Sequence, residues 1–345
     1  MASYCEGKVA VVTGAGGTLC SCIAIDLAKQ GAKVVLIGRT AAKLEKTREA
    51  IVAAVNGKAA QTGTTGILPV GAVNGRDIKT GTTGILPVGG VNGRDARCPS
   101  ETDASGVVNG RDARCPSEFV RIEAGDVTDE KRMQEIADKV AAEWGPCKFL
   151  VNGAGGNNVK AMPTRLRFSE ADLTPTADFD KDRGFWDIDL AAFKSVLEIN
   201  TLGTVIPSKI FGLQMAKSGG GAILNFGSMN TYRPLTRVAP YAMSKAAIAN
   251  WTMFFAQYMA PAKVRVNAVA PGFFVNERSK QYLMTPDGGL SARGEQVMAH
   301  SCIKRFGEAP ELLGCVNWLL DDEKAGFVTG ITVPVDGGFL ASAGV

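Results

Sequence analysis

Short apolar runs recur along this chain, each followed by a segment with helical spacing, and that alternation restricts the fold more than any other feature. The strand-like runs fall at 8–13, 33–37, 119–123, 148–152, 222–227, 264–270 and 331–335, and the clearest helical segments at 18–30, 41–55, 129–143, 185–217, 241–258 and 310–320. Near-continuous apolar runs mark strands buried on both faces, and parallel strands need helical crossovers to cover those faces. The expected fold class is α/β: a single doubly wound (Rossmann) domain over residues 1–345 with a mostly parallel seven-stranded sheet.

One block interrupts the alternation. TGTTGILPVGAVNGRD at 62–77 returns as TGTTGILPVGGVNGRD at 80–95, and VNGRDARCPSE at 91–101 returns at 108–118. Repeat architectures need an apolar face in each unit to stack on its neighbour, and these copies are rich in Gly, Thr, Asn, Asp and Pro. A repeat-containing, loosely ordered insertion at about 62–117 is expected, because such a segment buries too little apolar surface to offset chain entropy. It lies between the second helix and the third strand, at the strands' N-terminal edge, whereas ligands of such sheets bind at the C-terminal edge.

Composition removes several function classes. The 38 basic and 34 acidic side chains are interspersed and leave a net charge of only +4, so there is no basic stripe for nucleic acid. The N-terminal MASYCEGKVAVVTG lacks a basic-then-apolar signal pattern and no apolar run is long enough to cross a bilayer, so no membrane association and a cytoplasmic setting are expected. The eight cysteines include no Cys-x-x-Cys pair and His300 is the single histidine, which argues against a metal site and for thiols packed in a reducing compartment.

Strand 8–13 runs into TGAGGTLC, containing Gly14, Gly16, Thr18 and Leu19, and then into a helix. Glycines let the backbone turn sharply and approach a pyrophosphate, while free amides at a helix start attract anions. Alone, such a turn serves packing as readily as cofactor binding. Asp126-Val127 ends the third strand and NGAG, with Asn152 and Ala154, ends the fourth, so three turns share one edge. The second strand ends in IGRT. Arg39 there offers positive charge to a 2′-phosphate and favours NADP over NAD, the alternative being a solvated arginine at a helix start.

In YAMSK, Tyr241 and Lys245 are four residues apart and share a helix face. An ammonium beside a phenol stabilises the phenolate and brings its proton exchange toward neutrality. The spacing also arises by chance, and it gains meaning from Ser228, which ends the preceding strand, GAILNFGS, and can face the same crevice.

With these segments assembled, the chain resembles the short-chain dehydrogenase/reductase family over nearly its whole length apart from the insertion. The family's glycine turn is TGxxxGxG; here Thr18 and Cys20 replace the second and third glycines, and Gly153 replaces the second Asn of the family's NNAG. The resemblance implies that Ser228 holds the substrate oxygen, Tyr241 exchanges the proton and Lys245 binds the nicotinamide ribose and acidifies the tyrosine. It further implies that Asn200, in LEINTLGT, anchors a water relay and that Pro271, Gly272 and Phe274 border the nicotinamide. A homo-oligomer, specifically a tetramer, is implied as well.

Substrate identity belongs to the loops. Asn157, Asn158, Lys160, Asn230, Arg233 and Arg278 lie on them and can hydrogen-bond hydroxyls or pair with a carboxylate. The GGTLC turn with the GGNN loop is similar to the sugar-acid branch of the family, which reduces fructuronate-type keto acids to mannonate-type hydroxy acids. The expected partner is therefore a small keto or hydroxy sugar acid. A gluconate 5-dehydrogenase or 3-oxoacyl reductase type of ketoreductase is the alternative within the family. A non-catalytic dinucleotide sensor is the alternative outside it, disfavoured because a sensor needs no intact serine, tyrosine and lysine.

Overall fold

The computed structural model describes residues 3–57, 118–176, 178 and 182–342, with the side chains of 277 and 278 excepted. The expected insertion at 62–117 lies outside the described residues. Seven strands, β1 (Val9–Thr13), β2 (Lys33–Gly38), β3 (Val120–Ala124), β4 (Cys147–Asn152), β5 (Gly221–Phe226), β6 (Val264–Pro271) and β7 (Thr332–Val335), form one sheet. Its order is β3-β2-β1-β4-β5-β6-β7 and every pairing is parallel. The helices are α1 (Thr18–Lys29), α2 (Ala41–Val55), α3 (Glu130–Trp144), α4 (Leu190–Lys217), α5 (Ala239–Met259), α6 (Glu277–Leu283), α7 (Ala292–His300), α8 (Leu313–Leu320) and α9 (Asp322–Ala325).

Two apolar layers enclose the sheet, and the two-residue period of the strands decides which side chain joins which. Ala10, Val12, Val34, Leu36, Phe149 and Val151 face one layer, closed by Ile23 and Leu27 of α1, Leu44 and Ile51 of α2 and Leu319 of α8. Val9, Val11, Val35, Ile37 and Leu150 face the other, closed by Ile136 of α3, Phe211 and Met215 of α4 and Phe255 of α5. With helices on both faces, strand order reverses between β1 and β4, the switch point at which a ligand crevice opens beyond the carboxyl ends. Registers align those ends: Thr13 pairs with Ile37 and Asn152, Asn152 with Asn225, and Phe226 with Val269.

Local structure differs from the sequence reading at two helix starts. The helix expected from 185 begins at Leu190. Phe185–Asp187 form a separate 3-10 turn, and the Asp189 carboxylate accepts the N–H groups of Ala191 at 2.7 Å and Ala192 at 3.1 Å, a cap that fixes the start. Likewise 309–312 is a 3-10 turn leading into α8. The short helices α6, α7 and α9 carry too few turns to show a period and were not anticipated. Among the described residues no helix is long and apolar enough to cross a membrane, and no cluster of potential metal ligands occurs.

Candidate active site

The crevice beyond β1, β4, β5 and β6 has a volume of about 300 Å³. Its floor is glycine because nothing larger fits. Gly14 adopts φ +66°, and a Cβ there would lie 2.7 Å from the Gly153 carbonyl oxygen. The Thr13 hydroxyl accepts the amides of Gly153 at 3.1 Å and Ala154 at 3.2 Å, which stitches the β4 turn to the end of β1. Gly17 caps α1 without a side-chain acceptor, so the first amides of that helix are left for an anion. A cradle with no room for side chains and with free helix amides fits the pyrophosphate of a dinucleotide.

The departures from the family's glycine pattern compensate one another. A Cβ on Gly153 would sit 2.0 Å from the Cys20 sulfur. Cys20 occupies the space that an asparagine at 153 would need, and the glycine at 153 is what admits a side chain at 20. Burial pushes the Cys20 thiol up to about 12, so it packs as a neutral group.

Ser228 lies two residues beyond β5, caps the 3-10 turn Met229–Thr231 and is buried. Its oxygen accepts the Asn230 backbone amide at 3.2 Å and the Asn230 side-chain amide at 3.3 Å, which leaves the hydroxyl proton for another acceptor. Tyr241 and Lys245 lie on α5 one turn apart, with the ammonium 5.4 Å from the centre of the phenol ring. Burial raises the Tyr241 phenol and the Ser228 hydroxyl pulls against that rise. Burial also drives the Lys245 ammonium down to about 8, and it donates to the Phe226 carbonyl at 2.7 Å. Asn200, fully buried on α4, clamps the β4 turn: it donates to the Gly156 carbonyl at 2.7 Å and accepts the Gly156 amide at 3.2 Å. It also donates to the Val196 carbonyl at 2.8 Å, spanning the break between turn and helix.

Ten of the residues singled out from sequence border this crevice together: Gly14, Thr18, Leu19, Asn200, Ser228, Tyr241, Lys245, Pro271, Gly272 and Phe274. Gly16, Arg39, Asp126, Val127, Asn152 and Ala154 do not line it. The Asn152 amide is buried and donates to Ser208 and Asn225, both at 2.9 Å, as part of the wall. Arg39 is 71% exposed and 3.8 Å from the Asp126 carboxylate. Although partial burial raises Asp126, the Thr128 amide and hydroxyl, with the Arg39 charge, hold it below the usual carboxylate value. Val127 packs where a Cβ on Gly203 would meet it.

None of the five polar loop candidates with described side chains borders the crevice, and the Arg278 side chain lies outside the described residues. Asn157 reaches Met162, Asn158 caps the Lys160 amide at 3.0 Å, and Lys160 is exposed. Asn230 is buried and holds Ser228, with its oxygen accepting the Leu235 amide at 2.8 Å. Arg233 lines a neighbouring cavity. Missed from the sequence were Gly17, Cys20, Gly153, Gly155, Gly156, Phe226, Gly227 and Asn276. The GGTLC and GAGG strings contained the first five, and their position beside assigned glycines was the available signal.

Two family profiles match the chain: "short chain dehydrogenase" over residues 8–65 and "Enoyl-(Acyl carrier protein) reductase" over 101–340. An uncharacterized oxidoreductase, UxuB, of Bacillus subtilis (strain 168) is 33% identical over 339 residues, covering 98% of this chain and 97% of that protein. An oxidoreductase of Haemophilus influenzae is 37% identical over 220 residues, 64% of this chain and 75% of its own length. Among solved structures, a candidate D-mannonate oxidoreductase of Haemophilus influenzae with bound NAD superposes with a TM-score of 0.73 at 29% identity, covering 99% of this chain and 97% of the other. The sheet order, the crevice at its switch point and these matches agree: the chain belongs to the short-chain dehydrogenase/reductase family.

Proposed function

We propose that this protein is a nicotinamide-dinucleotide-dependent oxidoreductase that interconverts the carbonyl and secondary alcohol of a polyhydroxylated sugar acid of the fructuronate/mannonate type. The observation that carries the reaction class is the convergence of Ser228, Tyr241 and Lys245 on a glycine-floored crevice. Ser228, its oxygen already saturated by Asn230, directs its proton to the substrate oxygen. Tyr241 gives or takes the proton at that oxygen. Lys245 holds a ribose hydroxyl and supplies positive charge beside the phenol, and Asn200 orders the turn and a water behind the lysine. Gly14 and the first amides of α1 would hold the dinucleotide, which would supply the hydride donor or acceptor. Similarity to a D-mannonate oxidoreductase across almost the full length supports the sugar-acid substrate.

The test is turnover of fructuronate, tagaturonate, 5-ketogluconate and neutral ketoses with NADH and NADPH, using Tyr241→Phe as control. Activity confined to keto acids is expected; activity confined to uncharged or acyl substrates would sink the substrate assignment. Arg39 supports NADP over NAD through its charge. Arg39→Asp is then expected to weaken NADPH about tenfold or more while sparing NADH, and equal loss of both would remove that role. Leu202 and Leu213 of α4 and Phe254 and Tyr258 of α5 are exposed apolar side chains, which supports a homo-oligomer formed through these helices. Light scattering of the purified chain measures it, a tetramer being the expected state.

A further inference from the structure

Arginines divide this molecule sharply. Arg39, Arg121, Arg132, Arg165, Arg265 and Arg305 each meet a carboxylate. Arg167, Arg233, Arg237 and Arg293 make no side-chain hydrogen bond or ion pair among the described residues, and all four line two cavities flanking the 233–237 strap. One cavity, of about 510 Å³, is bordered by Arg233, Leu235, Phe273, Arg293 and His300. The other, of about 270 Å³, holds Arg167 and Arg237 on its wall.

Arg237 is the most constrained of the four. Its Nε is buried without a partner, and its backbone sits at φ 70°, a left-handed conformation that a side-chain-bearing residue adopts at a cost. A buried donor without an acceptor and a strained backbone are tolerated together where a ligand completes the bonding. Position agrees. Arg237 immediately precedes Val238, the cap of α5, one turn before Tyr241. The middle of the strap is tied to the Ser228 hydroxyl through Asn230 and Leu235. Phe273, on the larger cavity, adjoins Phe274 of the catalytic crevice. Burial and the Arg237 charge both depress the Arg293 guanidinium, which puts the two cations close together, and the Arg237 charge also helps hold the Asp182 carboxylate low. The nearby Asp182 carboxylate is already engaged by Arg165 at 2.9 Å.

We propose that Arg237, with Arg293 across the strap, anchors a carboxylate on the substrate and so fixes how far the acid group lies from the carbonyl reacting at Tyr241. The inference rests on the sugar-acid reading above and names the residues that would enforce it. Arg237→Gln and Arg293→Gln are each expected to raise KM for the keto acid about 10- to 100-fold, with kcat and NADH affinity by fluorescence within about threefold. Arg237→Lys should recover part of the loss. If Arg237→Gln does not fold, Arg293→Gln carries the same comparison. A wild-type enzyme that reduces keto acids while both glutamine variants leave KM unchanged overturns the carboxylate anchor alone. A wild-type enzyme that reduces only neutral substrates overturns the sugar-acid reading, and the anchor with it.

Discussion

The two ends of the parallel strands are built on opposite electrostatic plans. At the amino ends, charge is closed: Arg265 on β6 donates to the carbonyls of Leu319 at 2.7 Å and Leu320 at 3.1 Å and pairs with Asp322 at 2.8 Å. Lys148 on β4 shares the same aspartate at 3.3 Å. Around the crevice at the carboxyl ends, charge and backbone amides are left open: α1 starts uncapped, Lys245 has one backbone acceptor, and the arginines of the 233–237 strap make no side-chain hydrogen bond or ion pair among the described residues. Closed groups contribute to stability and open ones are available to ligands.

The sharpest break of that comparison is a pair of variants, one from each end. Tyr241→Phe should lower kcat by about 10²- to 10⁴-fold with an unchanged melting temperature, because it removes a proton donor and little packing. Arg265→Met should lower stability by about 3 kcal/mol, since it orphans two buried carbonyls and removes one of the two cations that meet Asp322, yet leave kcat per folded molecule unchanged. Crossed effects, with the tyrosine change unfolding the protein or the arginine change altering kcat, would refute the division.

A finer test uses pH. Burial depresses Lys245 from 10.5 to about 8, so between those values the unfolded chain holds more of this proton than the folded one and stability rises with pH. Below about 8 the ammonium is charged in both states and its burial cost is fully present. Wild type should therefore gain on Lys245→Met by at most about 3 kcal/mol as pH climbs from about 8 to 10.5. Denaturant titrations of the two proteins across that window measure the gain, and parallel pH profiles would mean the lysine is not depressed. Dinucleotide affinity has the opposite trend, falling as the ammonium loses its proton.

The same contrast explains what could be read from the sequence. Tyr241 and Lys245 are one turn apart on one helix, and the glycine turn is a contiguous string, so local geometry placed both at the crevice. The seven strands announced themselves as short, mainly apolar runs set between helical segments. Residues whose role depends on a distant neighbour did not. Asn230 reads as a loop amide available to a sugar hydroxyl, and only the fold shows it holding Ser228. Phe185 and Trp186 carry helical spacing into a segment that the Asp189 cap excludes from α4. The unpaired arginines come from three separate stretches, and nothing in any one stretch marks them as sharing a face.

Cys20 and Gly153 are the clearest such pair, and coupling between them is measurable. Gly153→Ala places a methyl group against the Cys20 sulfur and should cost about 1–3 kcal/mol. In a Cys20→Ala background the nearest remaining atom of residue 20 is the Cβ at 3.6 Å, an ordinary contact, so most of that cost should vanish. A double-mutant cycle that gave additive effects would show the two departures from the family pattern to be independent.

The smallest expected effect belongs to the insertion. α2 ends at Val55 and β3 begins at Val120, so both attachment points lie at the amino ends of the strands, across the sheet from Ser228 and Tyr241. The two family matches stop at 65 and resume at 101, so most of the first TGTTGILPVG copy and all of the second lie outside both. Deleting 62–117 removes none of the residues that border the crevice, and closing a shorter loop there changes chain entropy by only about 2 kcal/mol. The deleted form should fold and keep turnover and dinucleotide affinity within about twofold of the full chain, an effect small because the segment joins the closed end of the sheet. A deletion variant with a normal melting temperature and lost NADH fluorescence would instead mean that the repeats reach the carboxyl ends, and the separation of the two ends would fail.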